Sequence, residues 1–325
     1  MGGDNAPREV VAGALAAQKD GIARVILVGK RDRIAPHLGA VSDVEVVDAP
    51  DVVPMDVAPA HAIRGADRSS LGIAIDLIRS GRAEAIVSAG SSGAFLAIAL
   101  IRLRTIAGIA RPAIATVLPT PKQPVVLIDA GANVDCKPDW LMQFGIMGSA
   151  YAQSVLRIPS PRVAIVSIGE EPGKGNAQTL EATELLASAP INFIGNAEGG
   201  DVFSGRADVL VADGFVGNVM LKLAESESLA LQAAIREALL RSGFDVKIGA
   251  LLTRRAFAKL RRALHYETYG GAPLLGLRGN CIVAHGRSNR VAVRNAIRVA
   301  AAEVREDVVG KIAALAAPLV QAARA

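Results

Sequence analysis

Six short segments rich in glycine and small polar residues each follow a run of aliphatic or β-branched residues. They are Ser88-Ala89-Gly90-Ser91-Ser92-Gly93, Asp129-Ala130-Gly131-Ala132-Asn133, Gly169-Glu170-Glu171-Pro172-Gly173-Lys174-Gly175-Asn176, Gly195-Asn196, Asp213-Gly214-Phe215-Val216-Gly217-Asn218 and Ala284-His285-Gly286-Arg287-Ser288-Asn289. Glycine lets backbone N–H groups approach a bound group closely, and Ser and Asn add neutral hydrogen bonds. A helix opening just after such a turn points its positive end at the same spot. The chemistry these residues suit is the holding of an oxyanion such as a phosphate. Taken singly, each segment has the composition of an ordinary strand-to-helix turn. Their recurrence points to a ligand.

Lys174 stands between Gly173 and Gly175 ahead of a helical pattern, where an ammonium makes a point charge for a phosphate. The competing reading is a solvated loop lysine. The stretch is not a nucleotide loop, because Ile168 occupies the place of the first glycine of a P-loop and Gly175 that of its Ser or Thr. With no GxGxxG after a strand either, ATP and NAD are disfavoured and no cofactor is expected. Gly90, Ser91, Ser92, Gly131, Gly175, Asn176 and Asn196 become candidate substrate contacts, with Asn133 and Asn218 as neutral donors and Asp213 orienting a neighbour. His285 follows an apolar run at a turn and is the acid–base candidate, against a purely structural histidine. His37 and His61 have no such setting. Cys136 precedes Lys137-Pro138 at a helix start, so it is either a thiol of lowered pKa or small filler. No HExxH or spaced carboxylate cluster suggests a metal.

Apolar runs at 25–28, 44–47, 85–87, 113–118, 125–128, 163–168, 191–194, 209–212 and 281–284 read as strands. Helical patterns cover 94–104, 140–155, 176–187 and 217–241, the last with Leu231, Ile235 and Leu239 on one face and Gly243 as a left-handed cap. A final helix opens at Ser288 or Asn289 and runs through Ile297, Ala301, Val304 and Val308 on one stripe. This alternation predicts an α/β fold with a mainly parallel sheet and helices on both faces. In such a sheet all six turns would lie along one carboxyl edge, the place where open α/β proteins bind ligands. The 325 residues read as one domain, with a subdomain joint at Ile158-Pro159-Ser160-Pro161.

Apolar residues make up 51% of the chain and aromatics 3%, so aliphatic side chains must fill close helix–sheet contacts. The net charge of +5 is spread among acids, and scarce aromatics leave little to stack on bases, which argues against nucleic acid as a partner. The two cysteines, Cys136 and Cys281, form no disulfide or zinc pattern. The longest apolar runs, near 94–101 and 312–320, are shorter than the ~18 residues of a membrane span. With no signal segment at Met1-Gly2-Gly3-Asp4, the expected compartment is the cytoplasm. One segment stands apart: at 244–264 an apolar arc containing Ile248, Leu252, Phe257 and Leu260 opposes a basic arc of Lys247, Arg254, Arg255, Lys259, Arg261 and Arg262. Such a helix lies on an anionic membrane, meets an acidic protein, or packs on its own core or a second subunit.

In order along the chain, Met1-Gly2-Gly3-Asp4-Asn5-Ala6-Pro7 and the segments 129–135, 169–176, 192–198, 213–218, 269–277 and 284–286 resemble the motifs of the bacterial phosphate acyltransferase family. The resemblance runs essentially the whole length. It implies a fold like isocitrate and isopropylmalate dehydrogenases and phosphotransacetylase. It also implies transfer of a fatty acyl group from acyl-[acyl carrier protein] to inorganic phosphate at the start of phospholipid synthesis. The partners implied are acyl carrier protein, a second copy in a homodimer, and a membrane glycerol-3-phosphate acyltransferase. It further implies peripheral association with the inner face of the cell membrane, through 244–264.

Three departures stand out. Family members usually carry a short apolar strand ahead of the Met-Gly-Gly-Asp motif, whereas this chain starts at the motif; the expectation is either a trimmed start or a sheet lacking one strand. Ser91-Ser92 stand where Asn-Thr is common, and Gly200 where an Arg is usual. Thioester-to-phosphate transfer needs no protein nucleophile, only a held phosphate, a stabilised oxyanion and correct placement. The expected arrangement puts phosphate at Lys174, Gly175 and Asn176. Asn133, Asn196 and Asn218 are then donors near the thioester, and His285 manages the proton. The rival readings are a coenzyme A-dependent phosphotransacetylase-like acyltransferase, a decarboxylating dehydrogenase of the same fold, which needs a magnesium-binding Asp set the chain lacks, and a non-catalytic membrane adaptor that binds acyl carrier protein.

Overall fold

A computed structural model of the chain describes residues 1–39, 43–246, 248–249, 251–255 and 270–322. In chain order the elements are α1 (Arg8–Lys19), β1 (Ile26–Gly29), α2 (Arg31–Ile34), β2 (Glu45–Asp48), α3 (Pro59–Arg64), α4 (Ser70–Arg79), β3 (Ala85–Ser88) and α5 (Ser92–Leu103). There follow β4 (Ala113–Leu118), β5 (Val125–Ile128), α6 (Pro138–Ser154), β6 (Arg162–Val166), α7 (Ala177–Ser188), β7 (Asn192–Ala197) and β8 (Val209–Val211). The last are α8 (Gly214–Arg241), β9 (Ala272–Leu275), β10 (Asn280–Val283), α9 (Arg290–Arg305) and α10 (Val308–Ala322).

Eight strands form one sheet in the order β3-β10-β9-β4-β5-β8-β6-β7, and β1 and β2 form a separate parallel pair. Most neighbours are parallel: β3 with β10, β5 with β8, and β6 with both β8 and β7. The α/β expectation therefore holds, with helices on both faces. The centre is different. β10, β9, β4 and β5 meet through three successive antiparallel pairings. Three reversals turn β3 and β10 opposite to β5, β8, β6 and β7. The single carboxyl edge expected from the sequence is consequently two edges, facing opposite ways along the strands.

The core follows from alternation. On β10, Cys281 faces the cluster under α4 and α5 with Phe95, Ile98 and Ile75, while Ile282 faces α9 through Ala296 and Ala300. Around β5 and β8, Ile128 and Val209 pack on α6 and α10 with Phe144, Met147 and Tyr151, all buried. Gly148 lets α6 approach closely, since a Cβ there would lie 2.5 Å from Val209 Cγ1. Few aromatics suffice because the layers are this close.

Several local expectations need correction. β6 ends at Val166, and Ile168, expected inside that strand, is 82% exposed. The final helix is two: Asn289 caps α9, Asp307 adopts φ +47°, and α10 starts anew at Val308. Gly243 does not take a positive φ, and α8 ends instead at an extended Ser242. On α8 only Gly214 and Gly217 are buried, so Leu231 and Ile235 face outward rather than lining a core. Of the basic segment, positions 248–249 and 251–255 are helical and Arg254 and Arg255 are exposed, while Phe257, Lys259, Arg261 and Arg262 lie outside the described residues. Among the described residues no helix is long and apolar enough to cross a membrane.

Candidate active site

β5, β6, β7 and β8 run the same way, so the turns that follow them gather on one edge, and Asp129 organises the first of them. Its side chain is fully buried. Oδ1 accepts N–H bonds from Ile114 (3.0 Å), Gly131 (3.1 Å) and Ala132 (2.9 Å), and Oδ2 accepts from Asn133 N (2.7 Å) and Nδ2 (2.8 Å). Burial pushes the Asp129 pKa up, while the bonds from Ala132, Asn133 and Ile114 pull the other way. The carboxylate thus moulds the turn as an extended Asx turn would. Asn133 closes it: its other amide proton goes to Pro112 O (2.8 Å), and its carbonyl accepts from Gly214 N (2.7 Å) at the start of α8.

Asp213 caps α8, accepting from Phe215 N (2.9 Å) and Val216 N (2.8 Å), and the first turn of α8 brings Asn218 beside Gly131. The loop after β6 is tied down from two sides. Ser167 Oγ donates to Lys174 O (2.8 Å), and the buried Asn196 donates from Nδ2 to Glu171 O and Lys174 O, both at 3.1 Å. Gly175 has φ +138° and Asn176 caps α7 by accepting from Thr179 N (2.8 Å). The Lys174 side chain is exposed and, among the described residues, its ammonium forms no ion pair. Nearby, Arg206 pairs with Glu170 (2.8 Å) and Asp201 (3.2 Å).

The other edge joins the turns after β3 and β10 to the N-terminal motif. Asp4 N donates to Gly286 O (2.8 Å), Asn5 Nδ2 to Arg287 O (3.1 Å), and Gly90 N to Ser88 Oγ (3.2 Å). Ser91 is buried and caps α5, while Ser92 and His285 are exposed. His285 Nδ1 accepts from Arg287 N (3.1 Å), so in the neutral ring the proton sits on Nε2.

The sequence-derived site therefore divides. Lys174, Gly175, Asn176, Asn133, Gly131, Asn196, Asp213 and Asn218 share one edge; Gly90, Ser91, Ser92 and His285 share the other. Two donors also need correction: both amide protons of Asn133 and both of Asn196 are committed to the scaffold, leaving neither for a thioester. Asn218 keeps its amide open among the described residues. Cys136, far from activated, donates to Asn133 O (3.4 Å), and burial pushes its pKa up to about 12. Asp129 and the Gly2-Gly3-Asp4 contribution had not been singled out as site residues. A strand followed by Asp, Gly and Asn was the available signal for the first.

The architecture, a mixed eight-stranded sheet flanked by helices with polar turns at strand ends, is that of the phosphotransacetylase fold. A phosphotransacetylase from Streptococcus pyogenes superposes with a TM-score of 0.64 over 93% of this chain and 92% of that one, at 17% identity. A 4-hydroxythreonine-4-phosphate dehydrogenase from Klebsiella pneumoniae gives 0.53 over 91% and 95%, at 15% identity. At those identities the likeness is one of fold. Sequence is more specific. The family model described as "Fatty acid synthesis protein" matches residues 1–311, and the chain belongs to that family. A phosphate acyltransferase of Desulforudis audaxviator is 49% identical over 313 residues, covering 96% of this chain and 93% of that protein. One of Synechococcus elongatus is 48% identical over 310 residues, covering 92% and 88%.

Proposed function

We propose that this chain is an acyltransferase that moves a fatty acyl group from the thioester of acyl carrier protein to inorganic phosphate, forming an acyl phosphate for phospholipid synthesis. The observation that carries the reading is near-half identity, over more than nine-tenths of the chain, to proteins named phosphate acyltransferase. The geometry supports it through Lys174, which forms no ion pair among the described residues and stands on a tethered glycine loop beside α7. In the reaction a phosphate oxygen attacks the thioester carbon, a tetrahedral oxyanion forms, and the C–S bond breaks as the carrier thiolate leaves and takes a proton. Lys174 and the main chain at Gly175 and Asn176 hold phosphate; Asn218 donates to the developing oxyanion. Asp129, Asn133, Asn196 and Asp213 are positioning residues, because their polar atoms fix the loops that carry those groups.

The proposal includes a homodimer. The exposed row Phe215, Val219 and Leu223 on α8 is an apolar face a second copy would cover. A partner's opposite edge, with Gly90, Ser91, Ser92 and His285, would then reach the Lys174 edge, where His285 could serve the departing thiolate. Arg254 and Arg255, with the rest of 244–264, are the proposed contact with acyl carrier protein or an anionic membrane surface, where a glycerol-3-phosphate acyltransferase would consume the product. The test incubates the purified protein with long-chain acyl carrier protein, with and without phosphate, and reads acyl phosphate by mass spectrometry. Faster turnover of acyl coenzyme A would favour a phosphotransacetylase-like enzyme instead. Stoichiometric binding without turnover would leave an adaptor.

A further inference from the structure

The edge that carries Lys174 and Asn218 continues past the Asp129 turn into residues 104–112 and 276–278. Pro112 O accepts from Asn133 Nδ2 (2.8 Å), Ile106 N donates to Gly276 O (2.9 Å), and Arg278 N donates to Arg104 O (3.1 Å). On the other side Cys136 O accepts from Gln178 Nε2 (2.7 Å) on α7, the helix that Asn176 caps. Four exposed cations stand along this run: Arg278, Arg104, Arg111 and Lys137. Among the described residues none forms an ion pair, either with Asp135 and Asp139 close by in sequence or with any other acid, whereas Arg102, Arg162, Arg206 and Arg290 each do.

Two of the arginines are held in place. The Arg111 guanidinium carbon lies 5.0 Å from the Trp140 ring centroid, and Trp140 itself packs on the core around α6. A guanidinium stacked in this way keeps its charge and has little freedom left to lose on binding. Arg104 ends α5 with φ +61° and ψ 171°, a conformation that only glycine adopts without strain. Strain kept at an exposed arginine without an ion pair among the described residues points to a partner outside the chain.

We propose that this arginine rim is the docking surface for the acidic face of the acyl carrier, with Arg111 on Trp140 as its anchor. The inference rests on the transferase reading and gives it the surface that tells a carrier-bound thioester from a free one. Charge complementarity selects an acidic partner and speeds its arrival. An arginine beside a large aromatic ring has the composition of a binding hot spot, and its planar fork matches the carboxylates of Asp and Glu. The rim adjoins the Asp129 turn, so a carrier seated there brings its thioester arm to the edge of Asn218 and Lys174. A lipid surface fits less well. Ile106 and Ile109, the large apolar side chains between Arg104 and Arg111, are both buried, which leaves the loop nothing to insert among acyl chains. The segment 244–264 then remains for the membrane.

The test measures steady-state rates of the full chain with acyl carrier protein and phosphate. Arg111→Glu and Arg278→Glu should each raise the KM for the acyl carrier about tenfold or more, leaving kcat and the phosphate KM within about twofold. Arg111→Lys, which keeps the charge and loses the stacked fork, should fall between. The apo carrier, which lacks the pantetheine arm, should inhibit the parent and inhibit Arg111→Glu about fivefold or more less well. Unchanged thermal melts establish that the variants fold. The proposal is overturned if neither reversal moves the carrier KM. It is equally overturned if the apo carrier fails to inhibit the parent, which would make the arginines readers of the arm's phosphodiester. Loss only of sedimentation with phosphatidylglycerol vesicles in Arg111→Glu would overturn it too, in favour of a membrane contact. A parent that forms no acyl phosphate from the acyl carrier removes the transferase reading itself, whereas one that forms it at a rate the reversals leave alone removes only the rim.

Discussion

Gly217, in the first turn of α8, lies directly against the carbonyl of Asp129, so close that no Cβ fits between them. The contact seats the N-terminus of α8 on the turn that Asp129 moulds and sets where Asn218 stands. Gly217→Ala should cost about 1–3 kcal/mol of stability through overpacking. Because the helix must back away from the turn, turnover should fall more than stability, by up to about 100-fold. Urea unfolding and steady-state rates on the same preparation separate the two effects.

Lys174 should act on phosphate and little else. Removing a charge-assisted hydrogen bond of about 1.5–3 kcal/mol predicts that Lys174→Ala raises the phosphate KM by roughly 10–100-fold. The KM for the acyl donor should change little. Rate measured against phosphate concentration checks this, and an unchanged phosphate dependence would take Lys174 out of the site.

Asp129 should be intolerant even of its closest isostere. In Asp129→Asn an amide NH₂ must face N–H groups that now donate to a carboxylate oxygen. The buried donors left without an acceptor predict a loss of about 2–4 kcal/mol, visible as a lower denaturation midpoint. Asn133→Ala should damage the same turn less, since Asp129 retains its four backbone donors.

Glu303, on α9, is 2% exposed, its Oε1 has no hydrogen-bond partner among the described residues, and burial raises its pKa to about 8. A carboxyl whose folded pKa lies above its unfolded value contributes fully below about pH 4.5 and loses that contribution as pH rises through about 8. Thermal stability should therefore decline across that window, by a total on the order of 4 kcal/mol. In Glu303→Gln this component should vanish, leaving the variant more stable than the parent at pH 9 and similar at pH 4.5. Melting curves across that range decide it.

Cys136 should be a bystander. With its pKa near 12 it holds almost no thiolate at pH 7.5, so alkylation by iodoacetamide should be slow. Cys136→Ala should retain turnover within a fewfold. Rapid inactivation of the parent, with protection by acyl donor, would contradict a reaction without a protein nucleophile.

Much of the fold was legible in the sequence because strands and turns are written locally. The runs at 113–118 and 125–128 became strands with those bounds, and five of the six glycine-rich segments do follow a strand, whereas Gly195-Asn196, expected as a turn after residue 194, lies inside β7. The direction of those strands was not legible in the same way. β9 is four residues long with Pro273 inside it, too weak a pattern to register, yet it sits between β10 and β4 and is antiparallel to both. One clue was present: residues 119–124 between β4 and β5 are too few for a parallel crossover and require a hairpin.

The residue types at the candidate site, a lone lysine among glycines with Asn and Asp at helix starts, were determined by the sequence itself, since cap and turn chemistry acts over three or four residues. Only the tertiary structure decided which of those groups remain available. Asn133 and Asn196 give their amide protons to carbonyl and carboxylate partners 4 to 25 residues away, while among the described residues Asn218 and Lys174 keep theirs. Likewise, only strand pairing between distant segments set His285 and Lys174 on turns that follow oppositely directed strands. Hydrogen-bond partners across a sheet are chosen by the whole chain folding together, and no local pattern carries that choice.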